Sequence, residues 1–320
     1  MPAVGCAQVQ MTVEPTVPTC RTSIPADAVI AWITPFDAKD RGKLRAWCDA
    51  VGPVALQDLQ RPPAEGPRPI IVVSWNMGVG TGNLDAMWKT VVSPRLETGA
   101  DVILLIQEAY RKGHAPAACP ARSGVTARLG GKRSATNPDP LTFASDRHLY
   151  AVYAPSMRNG RRCDEEPRED RGNAIVSTLP LSEIAVVELP FAQERRAAVA
   201  ATVRTSTGGV RVMSVHLDTL FGHRRQAEGI AEAVKILGWT HDVVIAGDFN
   251  AWWLDSRVRL KDYGFAEVDC TRQPTRSTGR LDRIFRRDGD APLACAPGPD
   301  AFGSDHLPLV AEIPSTPHGE

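Results

Sequence analysis

The sequence lacks an excess of charge of either sign, a long apolar run and any closely spaced pair of cysteines. Lysine plus arginine and aspartate plus glutamate total 37 residues each, so any attraction to nucleic acid or anionic lipid must be local. No segment is apolar over the length of a membrane span. The seven cysteines show no spacing typical of a zinc site or a redox motif, which argues against both.

The first residues leave two interpretations of cellular location open. The N-terminus has no basic and apolar regions of a secretory signal, but "AVGCAQ" around Cys6 resembles the end of a bacterial lipoprotein signal. If the recorded start lies downstream of the true one, Cys6 would carry the lipid and six cysteines would remain for disulfides. We therefore expect an exported bacterial protein or lipoprotein with a truncated leader, and a cytoplasmic protein with free thiols is the alternative.

The length of 320 residues suits one large core with an appendage. Residues 1–68 have their own composition, with early proline and threonine, a helical stretch at "KDRGKLRAWCDAV" and a linker at "QRPPAEGPRP". We expect an N-terminal extension and linker over 1–68, a domain over 69–314 and a short tail over 315–320.

From Pro69 onward the pattern predicts more strands than helices. Short segments rich in valine, isoleucine and leucine indicate strands, and several lack alternation, which predicts burial on both faces. They are "IIVVSW", "DVILLIQ", "AIVS", "VRVMSVHL", "DVVIAGDF", "RLDRIF" and "LPLVAEI". Helices are predicted at "NLDAMWKTVV" and "RRQAEGIAEAVKIL" from their apolar spacing. The stretch 111–171 is predicted to be a loop-rich, solvated excursion, with Cys119 and Cys163 as candidates for a staple.

Polar residues stand where the apolar runs begin or end. One such residue is usually just where the chain meets water, but five places that all use Asn, Glu, Asp or His indicate a shared site. They are Asn76, Glu108, His216, Asp248 with Asn250, and Asp305 with His306. These side chains suit phosphoester hydrolysis assisted by a hard cation, because Mg²⁺ prefers carboxylate and other oxygen ligands. Glu108 with Asn76 could anchor Mg²⁺, with Mn²⁺ as an alternative.

From about Pro69 to Pro314 the chain resembles the endonuclease/exonuclease/phosphatase superfamily of DNase I-like metal-dependent phosphoesterases. The resemblance lies in "SWN", "QE", "GNAIVS", "VHLD", "GDFN", "LDRIF" and "SDH", in family order. It implies an α/β (α+β) fold, namely a four-layer sandwich of two mixed β-sheets flanked by helices, with the site at one edge.

The resemblance also implies roles for the polar residues. Glu108 would be the principal Mg²⁺ ligand, helped by Asn76, with Asp305 as a second ligand or a water-mediated partner. Asp248 would activate or orient the attacking water, and Asn250 would hold the phosphate.

The remaining implied roles concern two histidines and the substrate. His306 would hydrogen-bond the scissile phosphate while Asp282 fixes its tautomer and keeps it charged. His216 would protonate the leaving oxygen or bind phosphate, as in the DNase, sphingomyelinase and deadenylase-like branches. Asn173 and Arg196 are substrate-binding candidates, although Arg195 competes with Arg196 for the inward position.

The substrate stays open between several classes. "RQPTRSTGRLDRIFRR" holds six arginines and one acid, and it could follow a nucleic-acid backbone or bind a phosphorylated headgroup. Trp252 and Trp253 could stack on a base or dip into lipid, but covering the core is the favoured interpretation. We expect a divalent-metal-dependent phosphodiesterase or nuclease, with nucleic acid slightly ahead of phospholipid or sugar phosphate. Alternatives are a sphingomyelinase-like phospholipid phosphodiesterase, a sugar or inositol phosphatase, and a non-catalytic binding protein.

Overall fold

A computed structural model describes most of the chain, and every structural statement below refers to the residues it describes. These are 9–14, 22–23, 29–48, 50–60, 66–113, 126–127, 137–159, 168–206, 208–251, 259–270, 274–277, 279–287 and 293–313. Some residues that the sequence singled out lie outside them, namely Cys6, Cys119, Cys163, Trp252, Trp253 and Arg272.

The described residues contain strands and short helices in a mixed order. The strands are β1 (Met11–Glu14), β2 (Thr22–Ser23), β3 (Ala31–Pro35), β4 (Val54–Gln57), β5 (Ile70–Asn76), β6 (Asp101–Lys112), β7 (Thr126–Ala127), β8 (Tyr150–Asn159), β9 (Glu169–Ser177), β10 (Leu181–Glu188), β11 (Ala197–Thr205), β12 (Gly208–His216), β13 (Val243–Asp248), β14 (Ala266–Glu267), β15 (Asp282–Arg287), β16 (Ala294–Pro297) and β17 (Leu309–Ile313). The helices are α1 (Ala38–Cys48), α2 (Leu84–Met87), α3 (Ser93–Glu97), α4 (Pro140–Asp146) and α5 (His223–Ile236), with a π-helical turn (Trp88–Val92) joining α2 to α3 and a 3₁₀ segment at Arg259–Tyr263.

The strands form two mixed sheets. The first sheet has eight strands in the order β1-β3-β10-β11-β12-β13-β15-β14. The second has nine, in the order β16-β17-β5-β6-β9-β8-β4-β2 with β7 beside β8. Within the first sheet β12 and β13 are parallel, and within the second β5 and β6 are parallel. The predicted pair of mixed sheets is therefore confirmed.

The core explains why several strands are apolar without alternation. Ile70 and Val72 of β5 join a cluster that lies between the two sheets, while Ile71 and Val73 of the same strand face the α2–α3 helices on the outer side. The first sheet is built the same way, because its outer face packs on α5. Successive side chains of a strand point to opposite faces, so a strand covered on both faces is apolar throughout. The result is the expected four-layer sandwich.

The region before Pro69 contributes strands to both sheets. β3 pairs with β10 in the first sheet, and β4 pairs with β8 in the second. The predicted helix in this region is present as α1. The boundary near residue 68 stays a proposal that rests on composition.

The stretch 111–171 differs from the expectation of a solvated excursion. Its centre contains α4 and the ten-residue strand β8, which is buried along its whole length between β9 and β4. The sequence of β8, "YAVYAPSMRN", ends in polar residues and contains a proline, so its strand pattern is weaker than that of β5.

One disulfide connects the two sheets. Cys270, just after β14 of the first sheet, is bonded to Cys295 of β16 in the second. Cys48 is disulfide-bonded as well. None of the helices in the described part of the chain combines the length and apolar character that a bilayer crossing requires.

Candidate active site

Two parallel strand pairs bring the polar residues to one edge of the sandwich. Asn76 at the end of β5 lies opposite Gln107 of β6, where the pairing of these two strands ends, and His216 and Asp248 lie opposite each other at the ends of β12 and β13. Residues paired in a parallel ladder lie at the same level of the sheet, so the four residues are delivered together. Hydrogen bonds from Gln107 Nε2 to Ser214 Oγ (3.0 Å) and from Asn76 Nδ2 to Asp248 Oδ2 (3.0 Å) join the two sheets here.

Two backbone features shape this edge. Gly247 has a φ of 153°, and a Cβ at this position would lie 1.9 Å from the carbonyl oxygen of Val215 on the neighbouring strand. Glycine is therefore required beside the "GDFN" aspartate. Glu108 has a φ of 48° and lies within an irregularity of the β6–β9 pairing between Ile106 and Ala109. Such a bulge changes the direction of a side chain, and it lets Glu108 reach the pocket.

Asp248 is buried and held by two donors. Its Oδ1 accepts from the backbone N–H of Asn250 at 2.9 Å, and its Oδ2 accepts from Asn76. Burial and the nearby Asp282 carboxylate raise the pKa of Asp248 to about 6, although His306 and the two donors act in the opposite direction. The group is therefore ionised at neutral pH and is basic enough to accept a proton.

His306 is paired with Asp282 at a short distance. Its Nδ1 lies 2.7 Å from Asp282 Oδ2, and its Nε2 lies 3.8 Å from Asp248 Oδ2. Burial opposes the charge of the ring, but the Asp282 carboxylate and its hydrogen bond prevail and raise the pKa of His306 to about 9. His306 is thus a cation at neutral pH, with Nδ1–H donating to Asp282 and Nε2–H on the Asp248 side.

His216 is the second histidine at this edge, but its charge state differs. Its Nε2 lies 3.5 Å from Asp248 Oδ2. Burial lowers the pKa of His216 well below its ordinary value, and the cations Arg196 and Arg171 lower it further. The imidazole is neutral at neutral pH. An anionic phosphate beside it would oppose these effects and favour protonation.

The opposite side of the site is more open. Glu108 keeps 18% of its side chain exposed and lies 3.4 Å from Arg171 of β9. Asp305 is 51% exposed, and its Oδ2 lies 2.5 Å from Arg276. These ion pairs are more exposed to solvent than the hydrogen bonds around the buried Asp248.

Seven of the residues predicted from the sequence line one pocket of about 500 Å³. Asn76, Glu108, His216, Asp248, Asn250, Asp305 and His306 are at its surface, together with Gly78, Val79, Thr81, Arg171, Thr219, Arg276, Gly303 and Ser304. The residues come from both sheets and from segments more than two hundred positions apart. Asp282 lies behind the pocket, where it contacts His306.

The two substrate-binding candidates lie outside the pocket lining. Asn173 is buried in β9, and its Nδ2 donates to the Ala197 carbonyl at 2.7 Å. Arg196 is buried behind Thr219, with Nη2 bonded to Glu194 and 3.4 Å from the Thr219 hydroxyl. Arg195 is tied to Glu188 and to two carbonyls of β8, so of the two arginines it is Arg196 that approaches the pocket.

Two donor sets in the described residues could hold a cation. Asp248, Asp282 and His306 each place a ligand atom within 4.8 Å of the others. In this set the Asp282 and His306 atoms are already engaged with each other at 2.7 Å. Glu108 and Asn76 also line the pocket and offer a carboxylate and an amide oxygen, the ligand type that Mg²⁺ prefers. The Asn76 Oδ1 already accepts from the Gly78 N–H at 3.0 Å, and Glu108 lies 3.4 Å from Arg171. The second set differs from the first in offering oxygen donors alone.

The arginine-rich segment does not form an open basic stripe in the described residues. Arg280 and Arg283 both bond Glu267, and Arg286 lies 4.0 Å from Asp242. Arg287 donates to the carbonyls of Trp239 and Tyr263. Of the five described arginines of this segment, Arg276 alone lines the pocket.

Some pocket residues were not predicted from the sequence. Arg171 lies two positions before Asn173 in the "RGNAIVS" motif, and its partner Glu108 is visible only in three dimensions. Ser304 Oγ donates to the Asn76 carbonyl at 2.6 Å and accepts from the His306 N–H at 3.1 Å. The serine of the "SDH" motif therefore connects the N-terminal and C-terminal parts of the site. Its place in that motif, next to Asp305 and His306, is the sequence feature that could have indicated it.

Comparison with known proteins identifies the family. Residues 73–306 match the model of the endonuclease/exonuclease/phosphatase family, and the chain therefore belongs to that family. No curated protein sequence gives a significant match.

Solved structures with a similar fold include three that cover most of the chain. One is an endonuclease/exonuclease/phosphatase from Beutenbergia cavernae DSM 12333, at 20% identity over 78% of this chain and 72% of that chain, with a TM-score of 0.51. The human Nocturnin catalytic domain has 18% identity over 79% and 98%, with a TM-score of 0.50. A family protein from Leptotrichia buccalis C-1013-b has 14% identity over 76% and 98%, with a TM-score of 0.50. At these identities the likeness shows the fold alone.

Proposed function

We propose that this chain is a divalent-metal-dependent phosphodiesterase that uses Asp248 as general base and His306 as the phosphate-binding cation. One observation carries the proposal. A buried carboxylate with a pKa of about 6 and a buried imidazolium with a pKa of about 9 face the same pocket as Glu108. A base that is ionised and an acid that is charged at neutral pH are the pair that phosphoester hydrolysis needs.

The attacking group is a water molecule next to Asp248. The Asn76 and Asn250 donors fix the orientation of the Asp248 carboxylate, so its remaining acceptor positions are available for the water proton. Asn250 Nδ2 donates one hydrogen bond to the Leu217 carbonyl at 3.0 Å. Its second amide proton would donate to the phosphoryl oxygen. Positioned donors of this kind stabilise the charge that develops on phosphorus-bound oxygens.

His306 supplies positive charge where the transition state becomes more anionic. Its Nε2–H would donate to a phosphoryl oxygen, while Asp282 holds the other ring nitrogen. The neutral His216 would donate a hydrogen bond to the same phosphate or protonate the leaving oxygen once the phosphate has raised its pKa.

Glu108 and Asn76 would hold the divalent cation, with Asp305 as a second or water-mediated partner. Mg²⁺ bound there would withdraw charge from the phosphoryl oxygens. Asp305 would first have to leave its ion pair with Arg276. Arg276 could then pair with a substrate phosphate. Mn²⁺ is expected to substitute because it takes similar ligands.

The test is hydrolysis of a soluble diester, bis(p-nitrophenyl) phosphate, with Mg²⁺, with EDTA, and by Asp248→Asn. We expect activity that needs the metal and falls about a thousandfold in the variant, the range for loss of a general base. Circular dichroism should match the parent, because Asn is isosteric. Undiminished activity in the variant, or in EDTA, would contradict the proposal.

Comparison with p-nitrophenyl phosphate separates a diesterase from a sugar or inositol phosphatase, and binding without turnover would indicate a non-catalytic protein.

A further inference from the structure

Large apolar side chains are exposed at only a few places in the described residues, and three of them lie at the sheet edge that carries the pocket. Phe36 is 59% exposed, Leu220 55% and Phe221 63%; the other two are Val13 and Val29. Single exposed apolar residues are ordinary, but adjacent large ones beside a pocket indicate a binding surface. We call Phe36, Leu220 and Phe221 the apolar rim.

Strand directions place the apolar rim at the catalytic edge of the first sheet. β3 is parallel to β10, β10 and β11 are antiparallel, and β11 and β12 are antiparallel, so β3 and β12 run the same way. Phe36 directly follows β3, and Leu220 and Phe221 follow β12, the strand that ends at His216. Val13 lies in the edge strand β1, and Val29 precedes β3 at the opposite edge.

Contacts connect the apolar rim to the pocket on one side and hold its two parts together on the other. Thr219, which lines the pocket, is the residue before Leu220. Arg225 in the first turn of α5 bonds Asp40 in the first turn of α1 at 2.9 Å. This ion pair joins the segment after Phe36 to the segment after Phe221.

Partly exposed cations lie next to the apolar rim. Arg224 and Arg225 follow Phe221 closely, and each keeps about half of its side chain exposed while pairing with Glu228 or Asp40. Apolar side chains flanked by arginines are typical of surfaces that enter the headgroup region of anionic membranes. A polynucleotide would instead need a continuous cationic track leading to the pocket, and none of the arginines of β15 lines the pocket.

We propose that the apolar rim docks on an anionic phospholipid surface and presents the pocket to a phosphodiester in that surface. Leu220 and Phe221 enter the headgroup layer, and Arg224 and Arg225 face anionic headgroups. The naming of a lipid phosphodiester as substrate rests on the proposed function, whereas docking itself does not.

The experiment measures cosedimentation with phosphatidylcholine vesicles, with and without phosphatidylglycerol. We expect binding that increases with phosphatidylglycerol and weakens at least about tenfold in Leu220→Ser/Phe221→Ser, given the apolar area withdrawn. The matched control is Val13→Ser/Val29→Ser, which removes two exposed apolar side chains away from the rim and should bind like the parent. Equal binding by the rim variant and the parent would overturn the proposal.

Two further measurements separate this inference from its alternatives. Hydrolysis of soluble bis(p-nitrophenyl) phosphate should be equal in the rim variant and the parent, while hydrolysis of vesicle phospholipid should fall at least about tenfold. If vesicle binding follows the prediction but the parent does not hydrolyse the soluble diester, the proposed function fails and docking stands. If the rim variant instead loses binding to single-stranded DNA and binds vesicles like the parent, the apolar rim serves nucleic acid and the lipid proposal is wrong.

Discussion

The two walls of the pocket are built differently. Asp248, His306 and Asn76 are buried and joined to their partners at 2.7–3.0 Å. Glu108 and Asp305 on the other wall are more exposed and face arginines. Under the proposed function, the buried wall would be arranged for proton transfer, because its donors and acceptors are paired in place. The open wall holds charges that can exchange one partner for another, as a cation and a substrate would require.

The largest effect is expected on the buried wall, from His306→Asn. The asparagine amide can still donate to Asp282, so the buried carboxylate keeps a partner while the charge facing the pocket is lost. We expect kcat on the soluble diester to fall by about 10²- to 10⁴-fold. His241→Asn is the control, since His241 is exposed beside Asp242 and should change nothing. A small effect at His306 would remove the distinction between the walls.

On the open wall, Glu108→Gln should act on the cation. The amide has no charge, so we expect Mg²⁺ to bind at least about tenfold more weakly. Removing a residue that only hydrogen-bonds a metal ligand already weakens metal binding by about this factor, and Glu108 is proposed as a ligand itself. The measurement is the Mg²⁺-dependent rise in melting temperature, with Glu312→Gln as control, since Glu312 is the exposed residue of β17. Unchanged Mg²⁺ binding would indicate that the cation is held by Asp248, Asp282 and His306 instead.

The pH dependence sharpens the role of the buried wall. Asp248 is ionised above about pH 6 and His306 is protonated below about pH 9, so kcat/KM should be bell-shaped between these values. Asp282 raises both pKa values, so Asp282→Asn should shift both limbs to lower pH. A shift of one limb alone would show that the two groups do not share Asp282.

The same pKa of His306 has a consequence for folding. Because the folded-state pKa lies above the unfolded value of 6.5, protonation of His306 stabilises the fold fully below pH 6.5, and this contribution is lost as the pH rises through about 9. The melting temperature should therefore decline over this range, and less so in His306→Asn.

The smallest predicted effect separates two arginines of one segment. Arg276→Ala should raise KM about tenfold, the value of one charge-assisted hydrogen bond to substrate phosphate. Arg280→Ala should leave KM unchanged, because Arg280 is similarly exposed but bonds Glu267. Equal increases would restore the idea of a basic stripe.

Much of the fold could be predicted from local pattern. β5, β12 and β13 are short apolar runs with polar ends, and the structure contains them within a few residues of the predicted limits, whereas β6 extends five residues beyond the predicted "DVILLIQ". β8 was missed because its burial depends on β9 and β4, which cover it only after folding. A strand whose stability depends on packing against neighbouring strands shows only a weak pattern in its own sequence.

The site was partly predictable for a similar reason. The positions of Asn76 and Asp248 could be predicted from their motifs, since each residue ends an apolar strand. Arg171 and the pairing of Arg280 with Glu267 depend on which strands become neighbours, and this cannot be derived from spacing along one segment. The apolar rim is likewise a property of strand direction rather than of any motif.

The Asn76–Asp248 hydrogen bond has a practical consequence, since its donor and acceptor belong to different sheets. Any swelling that separates the layers, by mild heat or dilute urea, would disable turnover while each sheet still kept its own backbone bonds. Loss of the proposed activity should therefore precede loss of the far-ultraviolet signal, so the activity would measure how firmly the two sheets are held together.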